Sequence, residues 1–97
     1  MNVISKAGLM EQAARHPETM AVLQDFYRTA RKSSWRGLHD VRQQFPSADQ
    51  VRSVLIFNVL GGNYRLITTV NYTWQTIFVK ALLTHKEYDR KEWMKWA

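Results

Sequence analysis

The amino-acid sequence predicts an α+β fold: N-terminal helices packed on a small antiparallel β-sheet, with a short C-terminal helix after it. Three observations carry this. Apolar residues at helical spacing fill the first half of the chain, strand-type runs occupy residues 54–83, and a helix-start signal follows at Thr84. Helices first and consecutive hairpin strands afterwards is the α+β pattern. The chain has 97 residues, enough for one domain and too few for two, so residues 1–97 are read as one unit. Its hydrophobic fraction of 45% supports a packed core and argues against disorder.

Taken in order, Asn2-Val3-Ile4 reads as a short edge strand. Ser5 is suited to cap a first helix with a stripe of Leu9, Met10, Ala13 and Ala14. His16-Pro17 ends that helix, because the residue before proline avoids the α region. Pro17 also suits the first turn of a second helix, whose face is Met20, Leu23, Phe26, Tyr27 and Ala30. Arg28, Arg31 and Lys32 sit at its C-terminal end, where the dipole favours cations. Ser33-Ser34 breaks the pattern. Leu38, Val41 and Phe45 have the spacing of a short helix stopped by Pro46, and residues 47–50 read as a loop into the sheet. Three strands follow: residues 54–59, 64–71 and 75–83, rich in Val, Ile, Thr and aromatics. Gly61-Gly62-Asn63 turns between the first pair, and residues 71–74 separate the second pair. Thr84-His85-Lys86-Glu87 is a capping-box pattern. Trp93 and Trp96, three apart, are expected to pack on the body together.

Charge narrows the function classes. Fourteen basic and eight acidic residues give a net charge of +6, which favours nucleic acid, an acidic partner or an anionic membrane surface. From Gln50 to Lys86 there is no Asp or Glu, while Arg52, Arg65, Lys80, His85 and Lys86 fall there. A sheet with cations and no carboxylates suggests an anionic ligand. With no cysteine, disulfides and thiolate metal sites are excluded. No apolar run approaches the ~20 residues of a membrane span, and residues 1–6 lack a signal-peptide core. A soluble cytoplasmic protein is expected. No HExxH pattern, P-loop, GxGxxG or GxSxG is present, so no metal and no cofactor are expected.

Several residues qualify for chemistry. A two-residue loop at Tyr72-Thr73 would set Arg65 opposite Lys80. Like charges so placed destabilise a sheet unless an anion sits between them; with another loop length both cations simply face solvent. His85 would be the first helical residue after its cap, where the dipole disfavours the imidazolium and leaves a base; a surface histidine in a cap is the plainer alternative. Tyr88 and Asp89 can share its face. Tyr88 suits base stacking or hydroxyl donation, or packing on the sheet. Glu87 reads as the reciprocal cap rather than a catalytic carboxylate. Trp35-Arg36, near Arg31-Lys32, is either an RNA-gripping patch or a solvated face.

At this point a family resemblance emerges. Phe57-Asn58-Val59, Gly62-Asn63-Tyr64-Arg65-Leu66-Ile67 and Leu83-Thr84-His85-Lys86-Glu87-Tyr88-Asp89 together resemble the HigB branch of the RelE-like toxins. So do His16-Pro17, Trp35 with Asp40, and Phe45-Pro46-Ser47-Ala48-Asp49. The likeness covers nearly the whole chain. It implies a toxin of a type II toxin–antitoxin pair, a small ribonuclease cutting mRNA in the ribosomal A site without a metal. By motif, Arg65, Lys80, His85 and Tyr88 are the implied catalytic set. Arg36, Arg52, Asn63, Lys86 and Lys91 are the implied RNA contacts. The implied partners are mRNA on the ribosome and a HigA-type helix-turn-helix antitoxin, with DNA reached only through that antitoxin. In contrast to some relatives, no Glu stands in the sheet to act as base. A non-catalytic RNA- or ribosome-binding module, or a module for an acidic protein partner, fits the basic sheet equally well.

Overall fold

The computed structural model describes residues 1–97. The chain begins with strand β1 (Asn2–Ile4), followed by helices α1 (Lys6–Arg15), α2 (Met20–Lys32) and α3 (Leu38–Gln44). Strands β2 (Asp49–Val51), β3 (Val54–Val59), β4 (Tyr64–Asn71) and β5 (Thr76–Thr84) come next, then helix α4 (His85–Asp89) and a 3-10 helix at Glu92–Trp96. The α+β class is as the sequence predicts. Ser5 caps α1 by accepting from the Gly8 N–H at 2.9 Å. A 3-10 turn at Pro17–Thr19 separates α1 from α2. Lys91, at a left-handed φ of 60°, breaks the last helix between α4 and the 3-10 segment.

The sheet has five strands in the order β1-β5-β4-β3-β2. It is mixed rather than purely antiparallel. β2 through β5 form an antiparallel meander, while β1 lies parallel to β5, with Val3 beside Ile77. Three helices separate β1 from the meander, and that long crossover is what permits a parallel pairing. The expected loop at residues 47–50 is shorter, because Asp49 and Gln50 pair with Ile56 and Leu55.

Strand alternation gives the sheet two buried faces. On the first, Leu55, Phe57, Val59, Leu66, Val70, Ile77 and Leu82 pack against Leu9, Ala13, Leu23, Phe26, Ala30, Trp35 and Val41 from the helices. Phe57 is the aromatic hub, with ring centroids 4.7 Å from Phe26 and 5.1 Å from Phe45. Trp35, though buried, keeps its indole N–H satisfied by Gln44 Oε1 at 2.9 Å. On the second face Val54, Ile56 and Ile67 pack against Trp93, with Tyr88, Leu83 and Trp96 at the margin. The C-terminal segment thus covers the β3 side of that face.

One feature of the register decides where the cations go. The β4–β5 loop is longer than two residues: Gln75 takes a left-handed φ of 52° and Asn71 pairs with Thr76. Further along, Ile67 pairs with Ala81 but Thr68 with Val79, so Lys80 is the extra residue of a β-bulge. Of the two loop lengths left open, the longer one is present, and Arg65 and Lys80 are not opposed. Arg65 lies opposite Leu83.

Replacing Phe57 with Ala should lower unfolding free energy by about 3–5 kcal/mol in a denaturant titration, the usual cost of emptying an aromatic core position. A loss under ~1 kcal/mol would show that the ring cluster is not the centre of the core.

Candidate active site

Arg65 projects from β4 onto the second face, beside the turn before it. Alternation along β4 puts Arg65, Ile67 and Thr69 on one side, and Ile67 belongs to the Trp93 cluster. The turn bends through left-handed positions at Leu60, Gly61 and Gly62, with φ of 51°, 64° and 92°. Its Gly62 carbonyl accepts a short hydrogen bond from Arg65 Nη1. A Cβ on Gly62 would meet that nitrogen at 3.0 Å, so glycine serves here both for φ and for the close approach. The guanidinium carbon lies 5.1 Å from the centre of the Tyr88 ring, a cation–π contact. Nη1 is occupied by the Gly62 and Tyr64 carbonyls, while Nε and Nη2 donate to no protein group. These free donors form the fork that suits a phosphate.

Helix α4 brings Tyr88 to Arg65. Its start is a complete capping box: Thr84 Oγ1 accepts from the Glu87 N–H at 3.2 Å, and Glu87 Oε1 accepts from the Thr84 N–H at 3.0 Å. Glu87 is a structural carboxylate, as its position suggests. The His85 N–H donates to the Asn63 carbonyl at 3.1 Å. One turn, residues 60–63, therefore holds both the arginine and the helix. Tyr88 is stacked on Trp93, centroids 5.2 Å apart and planes inclined by 2°. Trp93 also donates its indole N–H to the Tyr88 carbonyl at 3.0 Å. The layers run Trp93, Tyr88, Arg65.

His85 is exposed, with Nε2 3.3 Å from Asp89 Oδ2. No group of three or more His, Asp or Glu side chains is placed to hold a metal ion.

A comparison with protein families matches residues 19–91 to the HigB toxin, described as the RelE-like toxic component of a toxin–antitoxin system. The chain belongs to that family. It is also 30% identical over 93 residues to the mRNA interferase HigB of Escherichia coli O6:H1, spanning 93% of this chain and 90% of that protein. Identity to the mRNA interferase toxin HigB of Escherichia coli K12 is 27% over 92 residues, covering 92% and 88% of the two chains.

The sequence-expected residues of this HigB-family chain divide into two groups. Asn63, Arg65, His85, Lys86 and Tyr88 gather where the β3–β4 turn meets α4, and Lys91 follows directly after that helix. Lys80 lies three residues along β5 from Leu83, roughly 10 Å at strand rise, with its ammonium 5.8 Å from the Phe78 ring centre. Arg52 stands in the β2–β3 turn at the opposite end of the sheet. Arg36 is in the α2–α3 connection, and its guanidinium is paired with Asp40 at 3.0 Å. Trp93 is the site residue the sequence concealed. Its distance of five residues from Tyr88 is not a helical spacing, and the two stack only because Lys91 breaks the helix.

The capping box generates a pH prediction. Its bond from the Thr84 backbone N–H is the main cause holding the Glu87 carboxyl below the usual carboxylate range. A depressed acid stabilises the fold above its unfolded value, and that support fades as pH falls through the folded one. Stability curves of wild type and Glu87→Gln should therefore converge between about pH 5 and 3. Parallel curves would remove Glu87 from the cap. Thr84→Ala should cost about 1 kcal/mol at neutral pH.

Proposed function

We propose that this chain is an mRNA endoribonuclease, the toxin of a type II pair, and that it cleaves through the ribose 2′-hydroxyl without a metal. The observation that carries the reading is the half-buried Arg65 fork, fixed by Gly62 and Tyr88 with two donor nitrogens unused, Tyr88 standing one helical turn after the exposed His85. Family membership and the mRNA interferase names of the relatives support the same class.

In this mechanism the scissile phosphate accepts hydrogen bonds from Arg65 Nε and Nη2. The His85 imidazole takes the proton from the 2′-hydroxyl as the oxygen attacks phosphorus. A 2′,3′-cyclic phosphate forms and the bond to the 5′-oxygen breaks. Tyr88, whose two ring faces are taken by Trp93 and Arg65, gives its hydroxyl proton to that leaving oxygen. Arg65 neutralises charge that grows on the phosphoryl oxygens, where preorganised donors are most effective. Lys80, farther along β5, holds the phosphate of a neighbouring nucleotide. The substrate is mRNA on the ribosome in the cytoplasm, and the inhibitory partner is a HigA-type antitoxin.

Arg65→Ala should reduce cleavage by about 10²–10³-fold, and His85→Ala by about 10²–10⁴-fold, with circular dichroism unchanged. Tyr88→Phe tests proton donation, since it removes the hydroxyl and keeps the ring between Trp93 and Arg65. RNA carrying a single 2′-deoxyribose at the cut position should survive. Cleavage of that RNA at the normal rate would disprove attack by the 2′-oxygen. An RNA- or ribosome-binding module that does no chemistry is the competing reading. It would be established if wild-type protein bound translating ribosomes and left mRNA whole.

A further inference from the structure

The C-terminal segment shields only part of the second sheet face. Trp93 and Trp96 cover Val54, Ile56 and Ile67 on the β3 side. Toward β5 and β1 the face is bare. Phe78 pairs with Thr69, which shares its side of β4 with Arg65, so Phe78 points to the same side as the arginine. Ile4 is the register partner of Phe78 on β1 and points there too. Phe78 is 39% exposed and Ile4 41%, and Trp74, in the turn leading into β5, is 77% exposed. The bulged Lys80 reaches over the Phe78 ring. No carboxylate occurs anywhere from β3 through β5.

We propose that this bare strip is a stacking platform for single-stranded RNA, seating bases on Phe78 and Trp74 next to the phosphate held at Arg65. The inference rests on the nuclease reading of the same face and adds where the flanking nucleotides lie. Five residues of β5 separate Phe78 from Leu83, on the order of 16 Å, a span of a few nucleotides. The chemistry selects RNA. Aromatic faces exposed beside an ammonium, on a surface without negative charge, match bases alternating with phosphates. A purely apolar partner would leave Lys80 without a counter-charge. An acidic protein segment would leave the rings without a partner suited to them. Stacking of this kind accepts any base, so the platform contributes affinity and direction rather than sequence choice.

The test uses the full chain and a 2′-O-methyl oligoribonucleotide, which cannot be cut at any position. At fixed low salt, Phe78→Ala and Trp74→Ala should each weaken binding about fivefold or more, and Phe78→Trp should restore it. Trp74→Ala should also abolish quenching of tryptophan fluorescence by the oligonucleotide. Trp74 is so exposed that its loss leaves the fold intact, which keeps the test valid if Phe78→Ala unfolds. The platform is overturned if both alanine variants bind the oligonucleotide as wild type does, or if the losses fall on self-association or antitoxin binding instead. Failure of wild type to bind it overturns the platform alone when mRNA on ribosomes is still cleaved. Binding through Phe78 and Trp74 without cleavage of any ordinary RNA would retain the platform and sink the nuclease reading.

Discussion

Everything at this site depends on how the Arg65 guanidinium is held. A free arginine side chain carries about 2 kcal/mol of rotamer entropy that must be lost to bind an anion. Here much of that loss occurs on folding. The Gly62 carbonyl fixes one nitrogen, and the Tyr88 ring packs against the guanidinium at 5.1 Å. Tyr88 is in turn set by Trp93, which is nearly parallel to it and buried in the second core. The rigidity of the arginine is borrowed from a hydrophobic cluster.

The β3–β4 turn plays a matching part. Its left-handed residues let consecutive carbonyls at Gly62 and Asn63 diverge, one toward Arg65 and the other toward the His85 N–H. Glycine with φ near +90° has no competitor among residues carrying a Cβ. The capping box then stiffens α4, a helix of five residues too short to persist by itself. Turn, cap and aromatic stack are local devices, each worth little. Together they bring residues more than twenty apart in the chain onto one patch of surface.

Much of this was legible before any coordinates. The strand runs, the Ser5 cap, the stop at Pro17 and the Thr84–Glu87 box are short-range patterns, and all appear in the structure. The placing of candidate residues bound to such local signals was legible too: Tyr88 lies three positions from His85 on a helix whose start is written in the sequence. The register of Lys80 stays open in the sequence because it depends on a four-residue hairpin loop and a bulge, neither of which leaves a clear mark in residue types. The parallel pairing of β1 with β5 was hidden for a similar reason, since more than seventy residues separate the strands.

The sequence by itself determined the class of fold, the carboxylate-free basic strands and the capped start of the last helix, because composition and periodicity act over a few neighbours. Tertiary structure alone decided which cation meets which ring. Sheet register counts every residue in a loop, and a left-handed break at Lys91 redirects the chain so that Trp93 can lie beneath Tyr88. Both depend on packing across the whole molecule, where a shift of one residue turns a side chain to the other face.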